Sequence, residues 1–199
     1  MKKLTLLSFL LLLAVAGYSQ NSFYNNSYEA RNSGSFSQET SLLSFGIGFP
    51  NIPVNGYSFG TFNGNRSGFG PIYAKYEHGF LRDEVGLGGV FANSFGSYKY
   101  NNGNNKTKIF AWAAGIMGYY HFNKLIPVEK LDVYAGAGFI LRSRSYKYDD
   151  GVTANNTDTN FNFNGLVGAR YYFTQGFGAY AELGFDSMSD VNLGVTLRF

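Results

Sequence analysis

The stretch Val191-Asn192-Leu193-Gly194-Val195-Thr196-Leu197-Arg198-Phe199 alternates without a break. Val191, Leu193, Val195, Leu197 and Phe199 share one face, while Asn192, Gly194, Thr196 and Arg198 share the other. Successive side chains of an extended strand point to opposite faces, so this is a strand with one apolar and one polar side. The period carries backwards. Phe177, Ala179, Ala181, Leu183 and Phe185 oppose Gly178, Tyr180, Glu182 and Gly184. Phe161, Phe163, Val167, Ala169, Tyr171 and Phe173 oppose Asn162, Asn164, Gly168, Arg170 and Tyr172. Leu131, Val133, Ala135, Ala137, Phe139 and Leu141 oppose Asp132, Tyr134, Gly136, Gly138, Ile140 and Arg142. Four more strands fall near 41–49, 70–80, 84–100 and 108–122, which makes eight.

The connections alternate in length. Residues 81–83, 123–129 and 174–175 are short turns, whereas 50–69, 101–107 and 149–159 are long and polar. On that second side only 186–190 is short. Short turns at one end and long loops at the other belong to a membrane barrel, and an even strand count puts both chain ends on the short-turn side. In hydrocarbon every backbone N–H and C=O needs a partner, which a sheet provides only by closing on itself.

Alternation alone does not say which face points outward, since a soluble barrel binding an apolar ligand would invert the assignment. Three features favour the membrane. The face carrying Lys75, Glu77, Asp132, Arg142, Arg170, Glu182 and Arg198 is rich in glycine, including Gly46, Gly48, Gly88, Gly136 and Gly194. Small residues relieve crowding inside an eight-stranded barrel, which is barely wide enough for its own side chains. Aromatic residues collect at the short-turn end: Phe80, Tyr120, Phe122, Tyr171, Phe173, Phe177 and Phe199 would form an interfacial girdle. The last strand also ends on Phe199. The reading is an all-β, eight-stranded antiparallel up-and-down transmembrane β-barrel over residues 41–199.

The N-terminus sets the compartment. Met1-Lys2-Lys3 is basic, Leu4 to Val15 is almost wholly apolar, and small residues follow. This is the three-part pattern of a secretory signal peptide, read as residues 1–19, with cleavage after Ser19 or after Ala16. The apolar run is shorter than the roughly 20 residues of a spanning helix. Residues 20–40, rich in Asn and Ser, read as a flexible leader. Removing Lys2 and Lys3 leaves 14 basic against 13 acidic residues, without the clustered basic footprint that nucleic acid requires. The absence of cysteine excludes a disulfide scaffold.

The terminal Val195, Leu197 and Phe199 resemble the C-terminal insertion signal of outer-membrane barrels, which the barrel-assembly machinery recognises. The whole pattern resembles the small eight-stranded barrels of the OmpA-transmembrane and OmpX type, in the version common in Bacteroidota. That resemblance implies an outer-membrane location reached by the general secretory route. It also implies contact with lipid and lipopolysaccharide, and extracellular loops that meet surface proteins. No periplasmic peptidoglycan-binding domain follows, so tethering to the cell wall is not implied.

The charges on the polar face are the most chemical feature. The preferred reading is a network of mutual pairs plugging the lumen, because unpaired buried charge is costly. The alternative is a narrow ion or solute channel. Strand parity turns Lys99, Lys106, Lys108 and Lys147 outward near the long-loop end, as candidate lipopolysaccharide contacts. Some barrels of this resemblance are lipid A-modifying enzymes or proteases. Here His78 and His121 both fall at the short-turn end, where each reads as interfacial, and neither has a recognisable nucleophile beside it. The expectation is a non-enzymatic barrel without cofactor or metal site.

Overall fold

The computed structural model describes residues 35–55, 66–100, 105–149 and 154–199. The segment read as a signal peptide and most of the leader lie outside the described residues. Eight strands are present: β1 (Ser41–Phe49), β2 (Arg66–Gly79), β3 (Val85–Tyr100), β4 (Asn105–His121), β5 (Leu131–Tyr148), β6 (Asn156–Tyr172), β7 (Phe177–Phe185) and β8 (Val191–Arg198). One short helix, α1 (Ile52–Asn55), follows β1. Every strand pairs antiparallel with its chain neighbour, and β8 pairs with β1, so the barrel is closed.

The strands reach further toward the loop end than the alternation predicts. β2 begins at Arg66 rather than near 70, β4 at Asn105 rather than 108, and β6 at Asn156 rather than 161, while β5 runs past the alternation at 142 to Tyr148, just before the connection expected from 149. Ser143 to Ser145 and Asn156 to Asn160 are polar on both faces, so they carry no periodic signal. The backbone ladder is indifferent to that and continues to the Tyr146–Asn156 pair. β2 also contains a bulge between Phe69 and Ile72. Gly70 sits there with φ +91°, a conformation glycine adopts without a Cβ clash.

The apolar faces point outward. Phe161 is 70% exposed, Ile116 67% and Leu193 52%, whereas Tyr134 and Asp132 on the opposite face are fully buried. A continuous apolar wall of this kind is stable against hydrocarbon rather than water. At the turn end Phe80, Tyr120, Tyr171, Phe173, Phe177 and Phe199 are exposed. The Tyr120–Phe122 and Tyr171–Phe173 ring pairs there stand 5.3 and 5.6 Å apart. Inside, space is short: a methyl group on Gly46 would overlap the Tyr180 hydroxyl.

Each end of the lumen is covered. At the loop end Asn51 caps α1, its Oδ1 accepting from the Val54 N–H at 3.3 Å and from Ser94 Oγ at 2.7 Å. Val54 is thereby buried above Gly68 and Gly96, where a Cβ would meet its methyl groups. At the turn end residues 35–40, the last of the segment expected to be a leader, cross the mouth, with Ser35 and Phe36 buried. The β2–β3 and β4–β5 turns are joined by an ion pair between Glu84 and Lys124. The Lys124 ammonium holds the Glu84 carboxyl below the usual carboxylate range.

Candidate functional site: the lumen charge ring and the outer lysine groove

Parity places Glu77 of β2, His121 of β4, Asp132 of β5 and Arg170 of β6 on the inner face near the turn end, all of them buried. They form a closed ring. His121 Nε2 lies 2.6 Å from Glu77 Oε1, and His121 Nδ1 lies 2.7 Å from Asp132 Oδ1. Arg170 donates from Nη1 to Asp132 Oδ2 at 2.9 Å and from Nη2 to Glu77 Oε2 at 2.6 Å. All four carboxylate oxygens are used. Both imidazole nitrogens face carboxylate oxygens, and a neutral imidazole carries only one N–H. The ring is therefore complete with His121 as imidazolium, two cations alternating with two anions.

A second group lies deeper. Arg170 stacks 3.8 Å from the centre of the Tyr134 ring, and Tyr134 donates to Glu182 Oε1 at 2.9 Å. The other Glu182 oxygen pairs with Lys75. Above Lys75, Tyr73 donates to Asp186 Oδ2 at 2.6 Å. Five of the seven charges assigned to the lumen from sequence thus meet: Lys75, Glu77, Asp132, Arg170 and Glu182. The other two stand apart. Arg198 sits at the turn-end mouth over the Tyr172 ring, donating to Gln175 O at 2.8 Å and Ser35 O at 2.6 Å. Arg142 is half-buried toward the loop end, where its Nη1 donates to Ser187 O at 3.0 Å.

One expectation is corrected. His121 is not interfacial but is a fully buried member of the ring. The parity count that turns Lys106 and Lys108 outward turns His121 inward. His78 does face outward, where its Nδ1 lies 2.9 Å from Ser41 Oγ.

On the outer wall the four lysines come together. Lys99 stands directly opposite Lys106 in the β3–β4 ladder, and Lys108 directly opposite Lys147 in the β4–β5 ladder. Like charges directly opposite one another destabilise a sheet. Lys106, Lys108 and Lys147 border a groove of about 760 Å³ at the loop end. Ser67, Ser97, Ser145 and Thr157 add hydroxyls to its border, and Phe69, Phe95 and Phe110 add an aromatic side. Phe95 and Phe110 pack at 5.1 Å. Among the described residues no carboxylate lines the groove, although the nearby Asp149 accepts the Lys106 backbone N–H at 2.5 Å.

No family-wide sequence profile and no curated sequence matches the chain. Solved structures do. The N-terminal β-barrel domain of Pseudomonas aeruginosa OprF aligns with a TM-score of 0.53 at 20% identity, over 82% of this chain and 99% of that one. The outer-membrane protein OprG from Pseudomonas aeruginosa aligns with a TM-score of 0.53 at 10% identity, over 84% and 98%. The chain has the fold of the small outer-membrane β-barrels. At these identities the likeness is one of architecture: the closed barrel is shared.

Proposed function

We propose that this chain is an integral outer-membrane barrel with a closed lumen, acting through its surfaces rather than by transport or catalysis. The observation that carries this reading is the continuous system from Asp132 to Lys75, which fills the barrel axis with mutually bonded side chains. Nothing in that arrangement favours the channel alternative, because opening a path means breaking several buried ion pairs together. An apolar ligand finds no open interior to enter, because the inward apolar side chains Val90, Ala113, Met117 and Ile140 already pack on one another. Both nitrogens of His121 are taken by carboxylates, so the histidine has no lone pair with which to activate a nucleophile. Planar-bilayer recording tests the closed lumen: the expected result is no steady conductance, and a stable open state defeats it.

The outer groove supplies the surface role. Opposed lysines above an aromatic side match a phosphorylated glycolipid of the outer leaflet, with phosphates against the ammonium groups and acyl chains along Phe95 and Phe110. Replacing Lys99, Lys106, Lys108 and Lys147 with Gln is expected to lower the lipopolysaccharide that copurifies with the barrel. Unchanged retention sinks this part alone.

Val195, Leu197 and Phe199 keep the role of insertion signal in this reading. They lie on the outward side of the last strand, with Val195 and Phe199 exposed. Phe199→Ala is expected to slow insertion by the assembly machinery without changing the stability of barrels already inserted. Equal insertion of both forms counts against it.

A further inference from the structure

Residues 35–40 do something that neither the closed ring nor the lysine groove requires. Phe36 enters the turn-end mouth and stacks flat on His121, ring centres 3.6 Å apart and planes 6° from parallel. It packs with Leu42 and Tyr172. The barrel grips the surrounding backbone: Asn123 Nδ2 donates to Phe36 O at 2.7 Å, and Arg198 Nη1 donates to Ser35 O at 2.6 Å. Ser35 Oγ donates to Leu131 O at 2.9 Å, and Asp83 Oδ1 accepts the Gln38 N–H at 3.0 Å. These four bonds run through side chains, unlike the backbone ladders that hold the strands. Phe36 is the one large apolar anchor in Ser35-Phe36-Ser37-Gln38-Glu39-Thr40. Ser37 and Thr40 close a turn on each other, Ser37 N to Thr40 Oγ1 and Thr40 N to Ser37 O, both at 3.0 Å. The chain therefore doubles back into the mouth just before β1 begins.

We infer that residues 35–40 are a releasable plug, a segment of the chain's own N-terminal side that shuts the turn end of the lumen independently of the barrel wall. Apart from one backbone bond at its base, Gly79 N–H to Thr40 O at 2.9 Å, the cover is held by one aromatic anchor and a few side-chain bonds, and it opens far more often than a full ladder of backbone bonds does. When it lifts, His121 and the ring beneath it meet water from the turn end, while the Lys75–Glu182 pair and α1 still block passage through the barrel. The plug thus governs access to the lumen, not conduction across it. The inference rests on the closed-lumen reading but fails separately from it. Bilayer recording tests that reading, whereas thiol access from one end tests this one.

The cysteine-free chain makes the test direct. Leu42 is buried on β1 against Phe36, opposite Glu77 of the ring and so on the mouth side of the Lys75–Glu182 layer. Leu42→Cys introduces the only thiol, and its reaction with a small charged methanethiosulfonate is followed in the folded full-length barrel. Reaction is expected to be slow with the plug intact. It should be at least about tenfold faster with Phe36→Ser, or with residues 35–38 replaced by Gly-Ser-Gly-Ser. Equal rates with and without Phe36 overturn the inference, and so does a thiol that stays unreactive in a folded barrel lacking the plug. If Leu42→Cys fails to fold, Tyr172→Cys reports from the other side of the same Phe36 contact.

Discussion

At the turn end of the lumen, Glu77, His121, Asp132 and Arg170 satisfy one another, and each carboxylate oxygen has a partner. At the loop end, Val54 of α1 lies across Gly68 and Gly96, and Arg142 bonds a single backbone carbonyl through Nη1. One closure is electrostatic and complete; the other is apolar and piecemeal. In a complete ring the loss of one member strands its neighbours in a medium that cannot solvate them. In the piecemeal cap each contact fails alone. The same barrel should therefore respond steeply to changes at one end and mildly at the other.

Arg170→Met is the hardest test, because it takes one of the two ring cations from two buried carboxylates and leaves an oxygen of each without a partner. It is expected to cost about 3–5 kcal/mol in equilibrium unfolding from detergent micelles. A loss near zero would show that the ring is not a cooperative unit. Gly46→Val probes crowding between the two ends: with the Tyr180 hydroxyl and the Leu193 carbonyl in the way, it should cost about 1–3 kcal/mol by the same measurement. Arg142→Gln removes one half-exposed bond at the loop end and should cost no more than about 1 kcal/mol. A penalty matching that of Arg170→Met would erase the contrast. The smallest change is expected from Lys75→Met combined with Glu182→Gln, which removes both charges and keeps an acceptor for the Tyr134 hydroxyl. Neutralising both partners of a buried pair should leave stability within about 1 kcal/mol of the parent, while Lys75→Met alone falls well below it.

Much of the wall was legible because both of its faces have a character. Val191 to Phe199 and Phe177 to Phe185 alternate so cleanly that direction, pairing and outward face follow from composition. β4 shows where that stops. Trp112, Ala114, Ile116 and Tyr120 face out while Ala113, Met117 and Tyr119 face in, so both faces are apolar and the pattern is silent. His121 had to be reached by counting from Lys106 and Lys108, and its position at the strand end suggested an interface. All seven lumen charges could be assigned to one face, but not their partners, because a ring joining β2, β4, β5 and β6 is a property of closure. Phe36 and Val54 were out of reach for another reason. Each is an isolated apolar residue in a segment without a period, and only the cavity it enters gives it meaning.

The seam between β1 and β8 carries a consequence for assembly order. Every other ladder joins strands that are neighbours in the chain, so each hairpin can form as it is delivered. The seam joins the first strand to the last: Ser41 N donates to Phe199 O at 2.8 Å, and Phe199 N donates back to Ser41 O at 2.9 Å. Until β8 arrives, the growing sheet has two raw edges that hydrocarbon does not tolerate. Arg198, one residue before Phe199, is also the group that holds Ser35. The N-terminal cover therefore gains its full set of bonds only after the final strand is in place, and its docking marks a finished barrel.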